Sequence, residues 1–145
     1  MKRQNIWILM LSLNCCFASF GQNKNYKIIV NAGLPYENIE RTVIQKIFLG
    51  KRTTWDNGSP AIPVTLNSRD VHAAFLNDIV KKSPDAFNSL WMSLLYTGRA
   101  TPPPSFASDT ELLMYVAETP GAVGYIESTT SLENVTGIRV ITVKD

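Results

Sequence analysis

The residues best placed to do chemistry are Asn67, Ser68 and Arg69, which lie between an apolar run and a helical pattern. Residues 62–66 predict a strand, and a helix that starts directly after it leaves its first backbone N–H groups without partners. Ser68 and those N–H groups could donate to an oxyanion, with Arg69 adding a charge-assisted pair. In the competing interpretation, Asn67 or Ser68 only caps the helix, and Arg69 is a solvated side chain paired with Asp70.

The neighbouring polar side chains do not form a catalytic set. Ser68, Asp70 and His72 are spaced two residues apart on one predicted helix, so they face different sides and cannot hydrogen-bond in relay. The sequence also has no G-x-S-x-G elbow, no Walker loop and no G-x-G-x-x-G loop. We therefore expect a protein that is not an enzyme and that uses no cofactor.

The sequence contains few residues that could take part in metal or thiol chemistry. The chain has one histidine and two cysteines, Cys15 and Cys16. His72 has no second ligand at H-x-x-x-H or H-x-x-E spacing, so we expect an ordinary helix histidine and no metal site. Both cysteines fall in an N-terminal segment that is expected to be removed, which excludes a disulfide in the mature chain.

Residues 1–21 are typical of a secretory signal peptide. A basic dipeptide is followed by the mostly apolar residues 6–20, and small residues precede Gln22. Asn14 interrupts the apolar run, whereas a membrane span needs about 18 uninterrupted residues. A lipid anchor on the cysteine pair is the weaker alternative, because no small residue precedes either cysteine. We expect a periplasmic or secreted protein in which residues 22–145 form a single domain.

Composition predicts a folded and nearly neutral chain. Of its 145 residues, 45% are hydrophobic and 18% are charged, which is typical of a globular domain. The 14 basic residues stand against 12 acidic ones, and removal of Lys2 and Arg3 with the signal peptide leaves 12 against 12. Binding to nucleic acid needs clustered Lys and Arg to neutralise phosphates, so we expect no nucleic-acid partner.

The hydrophobic pattern predicts alternating strands and helices. Apolar runs predict strands at residues 27–31, 62–66, 122–126 and 138–143. Helical spacing, caps and stop signals predict helices at residues 38–49, 67–80 and 84–97, and from residue 108 through at least residue 116. This order predicts an α/β fold, a small mixed β-sheet flanked by helices, in which ligands sit where strands end and helices begin.

Three further features of the sequence predict how the elements pack. Pro63 cannot donate to a ladder, so its strand should lie at an edge of the sheet. The helix from residue 84 should turn one stripe toward the core, and that stripe consists of Phe87, Leu90, Trp91, Leu94 and Leu95. Trp55, in a loop, is equally suited to stacking on a ligand or partner and to packing in the core.

Four segments resemble the periplasmic phosphate-binding proteins of ABC importers. The sequence IFLGKRTTWDNG at residues 47–58 is similar to the family's IFLGK-x-x-x-W-x-x-G segment. Phe75, then Trp91, then Gly98 with its following prolines, and finally TPGAVGYI at residues 119–126 follow in the family's order. The resemblance implies a type II periplasmic binding-protein fold, in which two α/β lobes close on an anion, with this chain corresponding to one lobe.

The resemblance also bears on the ligand. The family's anion site in this lobe is a Ser-Gly-Thr-type turn shortly before the phenylalanine matched by Phe75, but residues 71–73 read Val-His-Ala here. Asn67, Ser68 and Arg69 remain as candidate ligands for an inorganic oxyanion such as phosphate. One open wall would bind weakly, so we expect a second protein chain or a homodimer to complete the cleft. The alternative is an envelope protein-interaction domain that keeps the fold without a transport function.

Overall fold

The computed structural model describes residues 24–145, which contain seven strands and four α-helices. The strands are β1 (Tyr26–Asn31), β2 (Asn38–Glu40), β3 (Ile62–Pro63), β4 (Thr65–Leu66), β5 (Ser105–Phe106), β6 (Ala122–Glu127) and β7 (Ile138–Lys144). The helices are α1 (Arg41–Phe48), α2 (Arg69–Phe75), α3 (Pro84–Tyr96) and α4 (Asp109–Glu118), and a π-helical turn (Leu76–Val80) continues α2. The predicted signal peptide, its cleavage site and both cysteines lie outside the described residues.

Strand β1 lies at the centre of a five-stranded sheet with the order β2-β7-β1-β6-β3. It runs antiparallel to β6 and β7, whereas β2 is parallel to β7 and β3 is parallel to β6. Helices α2 and α4 contact β1. Because both faces of this strand are covered, Ile28, Ile29 and Val30 are buried in succession, as a continuous apolar run predicts.

The helix predicted over residues 38–49 begins three residues late. Asn38–Glu40 form the edge strand β2, in which Ile39 is buried between two exposed neighbours. Helix α1 then buries its apolar stripe as expected, and Gly50, with φ of 71°, follows its C-terminal end. The prediction that residues 38–40 form the first turn of the helix was therefore wrong. These residues alternate in burial like a strand, but they directly precede the apolar stripe of the helix.

The strand predicted over residues 62–66 is divided at Val64. Its first half, β3, lies at the edge of the main sheet, which confirms the position predicted from Pro63. Its second half, β4, leaves that sheet and pairs in parallel with β5, a strand that the sequence analysis missed. The Thr65 N–H donates to the Pro104 carbonyl at 2.9 Å at the start of this two-stranded ribbon, which leads into α2.

Helices α3 and α4 have the caps that the sequence predicts. The Ser83 hydroxyl accepts from the Ala86 N–H, and the Ser108 hydroxyl accepts from the Glu111 N–H, each at 3.2 Å. The aromatic residues of the α3 stripe are buried, but Leu95 remains 43% exposed, so its predicted place in the core was wrong. The last turn of α3 extends beyond the core that the rest of the helix covers.

An aromatic cluster in the core fixes the position of α2. Phe75 of α2 stacks on Tyr125 of β6, with ring centroids 3.9 Å apart, and contacts Phe48 of α1 edge-on at 4.8 Å. All three side chains are fully buried. The predicted α/β class, a small mixed sheet flanked by helices, is confirmed, and α2 is anchored so that its first residues follow directly on the β4–β5 ribbon.

Candidate functional site

Asn67, Ser68 and Arg69 form the turn between β4 and α2, called the 67–69 turn below. The exposed Asn67 continues the ribbon, because its N–H donates to the Phe106 carbonyl at 2.7 Å. Ser68 is half-buried, with φ of −114° and ψ of 117°, and Arg69 is the first helical residue, with an exposed side chain. The structure therefore places all three residues at the end of a strand and the start of a helix, as the sequence predicts.

The first turn of α2 keeps its backbone donors free. Its first hydrogen bond runs from the His72 N–H to the Ser68 carbonyl at 2.8 Å. The N–H groups of residues 68–71 have no acceptor within residues 24–145, and the Ser68 side chain accepts no capping bond. Ser68 thus occupies the N-cap position, as the competing interpretation has it, but its side chain forms no capping bond. These N–H groups can donate to an acceptor from outside the chain.

The guanidinium of Arg69 also forms no salt bridge within residues 24–145. The salt bridges within the described residues use Lys24, Arg41 and Arg52 as their cations. Arg69 is exposed, as the competing interpretation has it, but the pairing with Asp70 in that interpretation does not form. Asp70 lies in the same first turn, where its carboxylate interacts favourably with the helix dipole. The turn thus offers one cation and free N–H donors, together with one nearby negative charge.

One buried hydroxyl holds the 67–69 turn from both sides. The Tyr125 hydroxyl accepts from the Leu66 N–H, immediately before the turn, at 3.2 Å. The same hydroxyl lies 2.5 Å from Nδ1 of His72, which follows the turn. Burial raises the pKa of Tyr125 above its ordinary value, so the hydroxyl keeps its proton at neutral pH. The sequence predicted only a strand position for Tyr125, although a tyrosine in such an apolar run needs a partner for its hydroxyl.

This arrangement determines the tautomer of His72. If Nδ1 carried the proton, the buried Tyr125 hydrogen would have no acceptor among the described residues, which is costly. The hydroxyl therefore donates to Nδ1, and the neutral ring carries its proton on Nε2. Burial lowers the pKa of His72, which favours this neutral form.

A cavity of about 250 Å³ adjoins the turn, and we call it the His72 cavity. Its walls come from the β4–β5 ribbon, α2, α3 and the extended prolines before β5. Asn67 and His72 line it, whereas Ser68 and Arg69 do not. Of the three candidate residues, only Asn67 therefore lines this half-open cavity.

The two described tryptophans belong to the core. Trp91 is buried and its indole N–H donates to the Phe48 carbonyl at 3.1 Å, which confirms the core position expected for it. Trp55, for which a ligand-stacking role was equally suitable, is only 3% exposed and donates to the Gly121 carbonyl at 2.9 Å. Its ring lies against Tyr36, with centroids 5.5 Å apart. Trp55 is thus a packing residue.

Within residues 24–145, no group of three or more His, Cys, Asp or Glu side chains is arranged to hold a metal ion. No helix in that part of the chain is long and apolar enough to cross a membrane.

Comparisons with known proteins identify the fold. No protein-family model and no curated protein matches the sequence. Among solved structures, PstS from Borrelia burgdorferi matches with a TM-score of 0.63 and 14% identity, over 83% of this chain and 47% of that one. A phosphate-bound ABC transporter substrate-binding protein from Clostridium perfringens matches with a TM-score of 0.61 and 15% identity, over 82% of this chain and 44% of that one. An ABC-type phosphate transport receptor from Vibrio cholerae matches with a TM-score of 0.52 and 16% identity, over 82% of this chain and 46% of that one.

The chain spans less than half the length of each of these proteins, and identities of this size show a shared fold. The proteins from Clostridium perfringens and Vibrio cholerae are described as a phosphate ABC transporter substrate-binding protein and a phosphate transport receptor. The chain therefore has the α/β fold of one lobe of a type II periplasmic binding protein, and its neighbours in fold are phosphate-binding proteins.

Proposed function

We propose that this chain is an exported, solute-binding-like module that binds an inorganic oxyanion, such as phosphate, weakly at the 67–69 turn. The observation that carries the proposal is the set of free N–H groups of residues 68–71 beside the unpaired Arg69. The likeness in fold to phosphate-binding proteins supports an oxyanion as the ligand. Export, to the periplasm or outside the cell, rests on the predicted signal peptide at residues 1–21.

The expected affinity is low. An anion at the turn would accept hydrogen bonds from backbone N–H groups and from the guanidinium of Arg69. Three charge-assisted bonds contribute about 1.5–3 kcal/mol each, whereas association costs about 4–15 kcal/mol. The carboxylate of Asp70, in the same helical turn, repels the anion. These contributions place the dissociation constant in the millimolar range or above.

Tighter binding requires a second wall. Micromolar binding needs a binding free energy of about −8 kcal/mol. An anion reaches this value when it is buried away from water, because each hydrogen bond is stronger there. The three candidate side chains lie at or near the surface, so the turn provides only one side of such a site. We therefore propose that another protein chain or a second copy of this one supplies the opposite wall.

Calorimetry of the purified chain with phosphate, sulfate and acetate tests the proposal. We expect millimolar binding of phosphate and sulfate, and weaker binding of acetate. Arg69→Ala should weaken phosphate binding by about tenfold or more, because it removes a charge-assisted bond. Arg99→Ala is the matched control, since Arg99 is an exposed arginine outside the turn and should leave binding unchanged.

Two results would contradict the proposal. One is the absence of heat at millimolar phosphate, and the other is an equal loss from both arginine variants. Either result would leave the protein-interaction alternative, which the fold comparisons do not favour.

A further inference from the structure

The His72 cavity has the features of a second binding site, which adjoins the 67–69 turn and shares only Asn67 with it. We propose that it binds a small uncharged molecule rich in hydroxyl groups, of about the size of a monosaccharide. The proposal goes beyond oxyanion binding, because it rests on the lining of the cavity rather than on the free N–H groups of α2.

His72 provides a donor of fixed orientation. Its Nδ1 is occupied by the Tyr125 hydroxyl, so the Nε2 proton is the free donor of the ring. Nε2 makes no hydrogen bond within residues 24–145, yet no buried polar side-chain atom there lacks a partner, so Nε2 is reached by solvent. The residue lines the cavity. A ligand oxygen in the cavity can therefore accept from Nε2–H without any change of tautomer.

Among the other polar side chains of the cavity, the Thr65 hydroxyl donates to the Pro104 carbonyl, whereas three more form no hydrogen bond within residues 24–145. Asn67, Asn88 and Ser105 line it, and none of their side chains makes a hydrogen bond with another described residue. An amide or hydroxyl group both donates and accepts hydrogen bonds, as does a hydroxyl group of a ligand. The polar lining thus matches a ligand with several hydroxyl groups.

The absence of charge from the lining determines the charge of the ligand. No Lys, Arg, Asp or Glu lines the cavity, and burial favours the neutral form of His72. The imidazole ring stacks on Tyr125, whose hydroxyl bonds to Nδ1, and meets the ring of Phe87 edge-on, and both groups are uncharged. An ion that entered the cavity would lose hydration without gaining a counter-charge, so an uncharged ligand is favoured.

The apolar walls and the volume determine the size of the ligand. Leu66, Phe87, Trp91, Pro102 and Pro103 supply carbon surface. An apolar cavity of about 150 Å³ holds benzene. The His72 cavity, at about 250 Å³, has room for a six-membered ring that carries hydroxyl groups, with the C–H faces of the ring against the prolines.

Three sugars with the same ring and different charge test the proposal: glucose, glucuronate and glucosamine. Each is titrated into the ¹⁵N-labelled chain while backbone and histidine NMR signals are followed. We expect glucose to give saturable millimolar shifts at His72, Asn88 and Ser105. The two charged sugars should bind at least about tenfold more weakly, because the cavity offers no counter-charge.

Variants and a competition experiment sharpen the test. His72→Phe and Asn88→Ala should each weaken glucose binding by about fivefold, the effect of losing one hydrogen bond. Asn77→Ala, which changes an exposed asparagine outside the cavity, should leave it unchanged. Added phosphate should not displace glucose, so failure of phosphate binding and failure of this proposal are distinguishable.

The proposal is overturned if no sugar gives saturable shifts, if glucuronate binds most tightly, or if the His72 and Asn88 variants bind glucose like the wild-type chain. If His72→Phe does not fold, the comparison of Asn88→Ala with Asn77→Ala decides the question.

Discussion

Replacing Tyr125 by phenylalanine should loosen the 67–69 turn while leaving the core in place. The tyrosine is completely buried and its ring stacks on Phe75 at 3.9 Å. Phenylalanine keeps that ring and removes only the hydroxyl, which holds Leu66 before the turn and His72 after it.

The magnitude follows from the two hydrogen bonds that are lost. Loss of the bond to His72 costs about 0.5–1.5 kcal/mol net, and the buried Leu66 N–H, left without an acceptor, costs about 1–3 kcal/mol. We therefore expect Tyr125→Phe to lower the free energy of unfolding by about 1.5–4.5 kcal/mol. For a chain of this length, such a loss lowers Tm by roughly 10 °C.

Urea unfolding measures this loss, and the m-value should not change. Tyr36→Phe is the matched control, because Tyr36 is half-buried and its hydroxyl makes no hydrogen bond within residues 24–145; we expect a loss below about 0.5 kcal/mol. The NMR signal of His72, the only histidine in the chain, gives a second readout. Its pKa should rise in Tyr125→Phe, since a donor to the neutral ring is removed. A loss in Tyr125→Phe no larger than in the control would refute the reasoning.

Three further predictions concern pH, close packing and capping. Burial lowers the pKa of His72, so the stability that its neutral ring contributes is present above about pH 6.5 and is lost as pH falls through the lowered folded pKa. The wild-type chain should therefore lose more stability than His72→Gln between about pH 7 and pH 5. Gly121→Ala should lower the free energy of unfolding by more than about 3 kcal/mol, because φ is 81° and the added Cβ would lie 1.9 Å from a backbone carbonyl oxygen. Gly58→Ala should lower it by about 1–2 kcal/mol, because φ is 82° but the added Cβ meets no atom within 4 Å. Ser108→Ala should cost about 1 kcal/mol through loss of a cap, whereas Ser68→Ala should cost less than about 0.5 kcal/mol.

Equilibrium unfolding in urea checks all three. The prediction for pH fails if the free energy of unfolding of His72→Gln changes with pH as much as that of the wild-type chain. Equal losses from the two glycine variants would mean that the backbone beside Gly121 yields to the added atom. A loss from Ser68→Ala as large as that from Ser108→Ala would mean that Ser68 caps α2, which would remove the free donors from the proposed site.

The elements that local rules define were predicted correctly. The apolar run of β1, the serine caps of α3 and α4, and the glycine after α1 each depend on residues close in sequence. The edge position of β3 followed from one missing N–H group, that of Pro63.

The errors concern contacts between distant segments. The two-residue strand β5 exists only because the Pro104 carbonyl meets the Thr65 N–H, and nothing in its own sequence indicates this pairing. Ile39 became part of a strand because β7, about a hundred residues later, lies beside it. Leu95 continues a helical stripe, but the core ends before it.

The candidate site was predicted in part. The 67–69 turn lies where strand and helix signals placed it, because those signals are local. The link between His72 and Tyr125 joins residues 53 apart in sequence, so it could not be found from helical spacing, which made His72 an ordinary helix residue. The strands and prolines that form the His72 cavity come together only through the β4–β5 pairing.

The 67–69 turn by itself should bind an oxyanion weakly, through its free N–H groups. Backbone amide NMR of the monomeric chain during a phosphate titration tests it most directly. We expect saturable shifts in the millimolar range that are largest at residues 68–71. The absence of shifts at those residues, or micromolar binding by a chain shown to be monomeric, would contradict it.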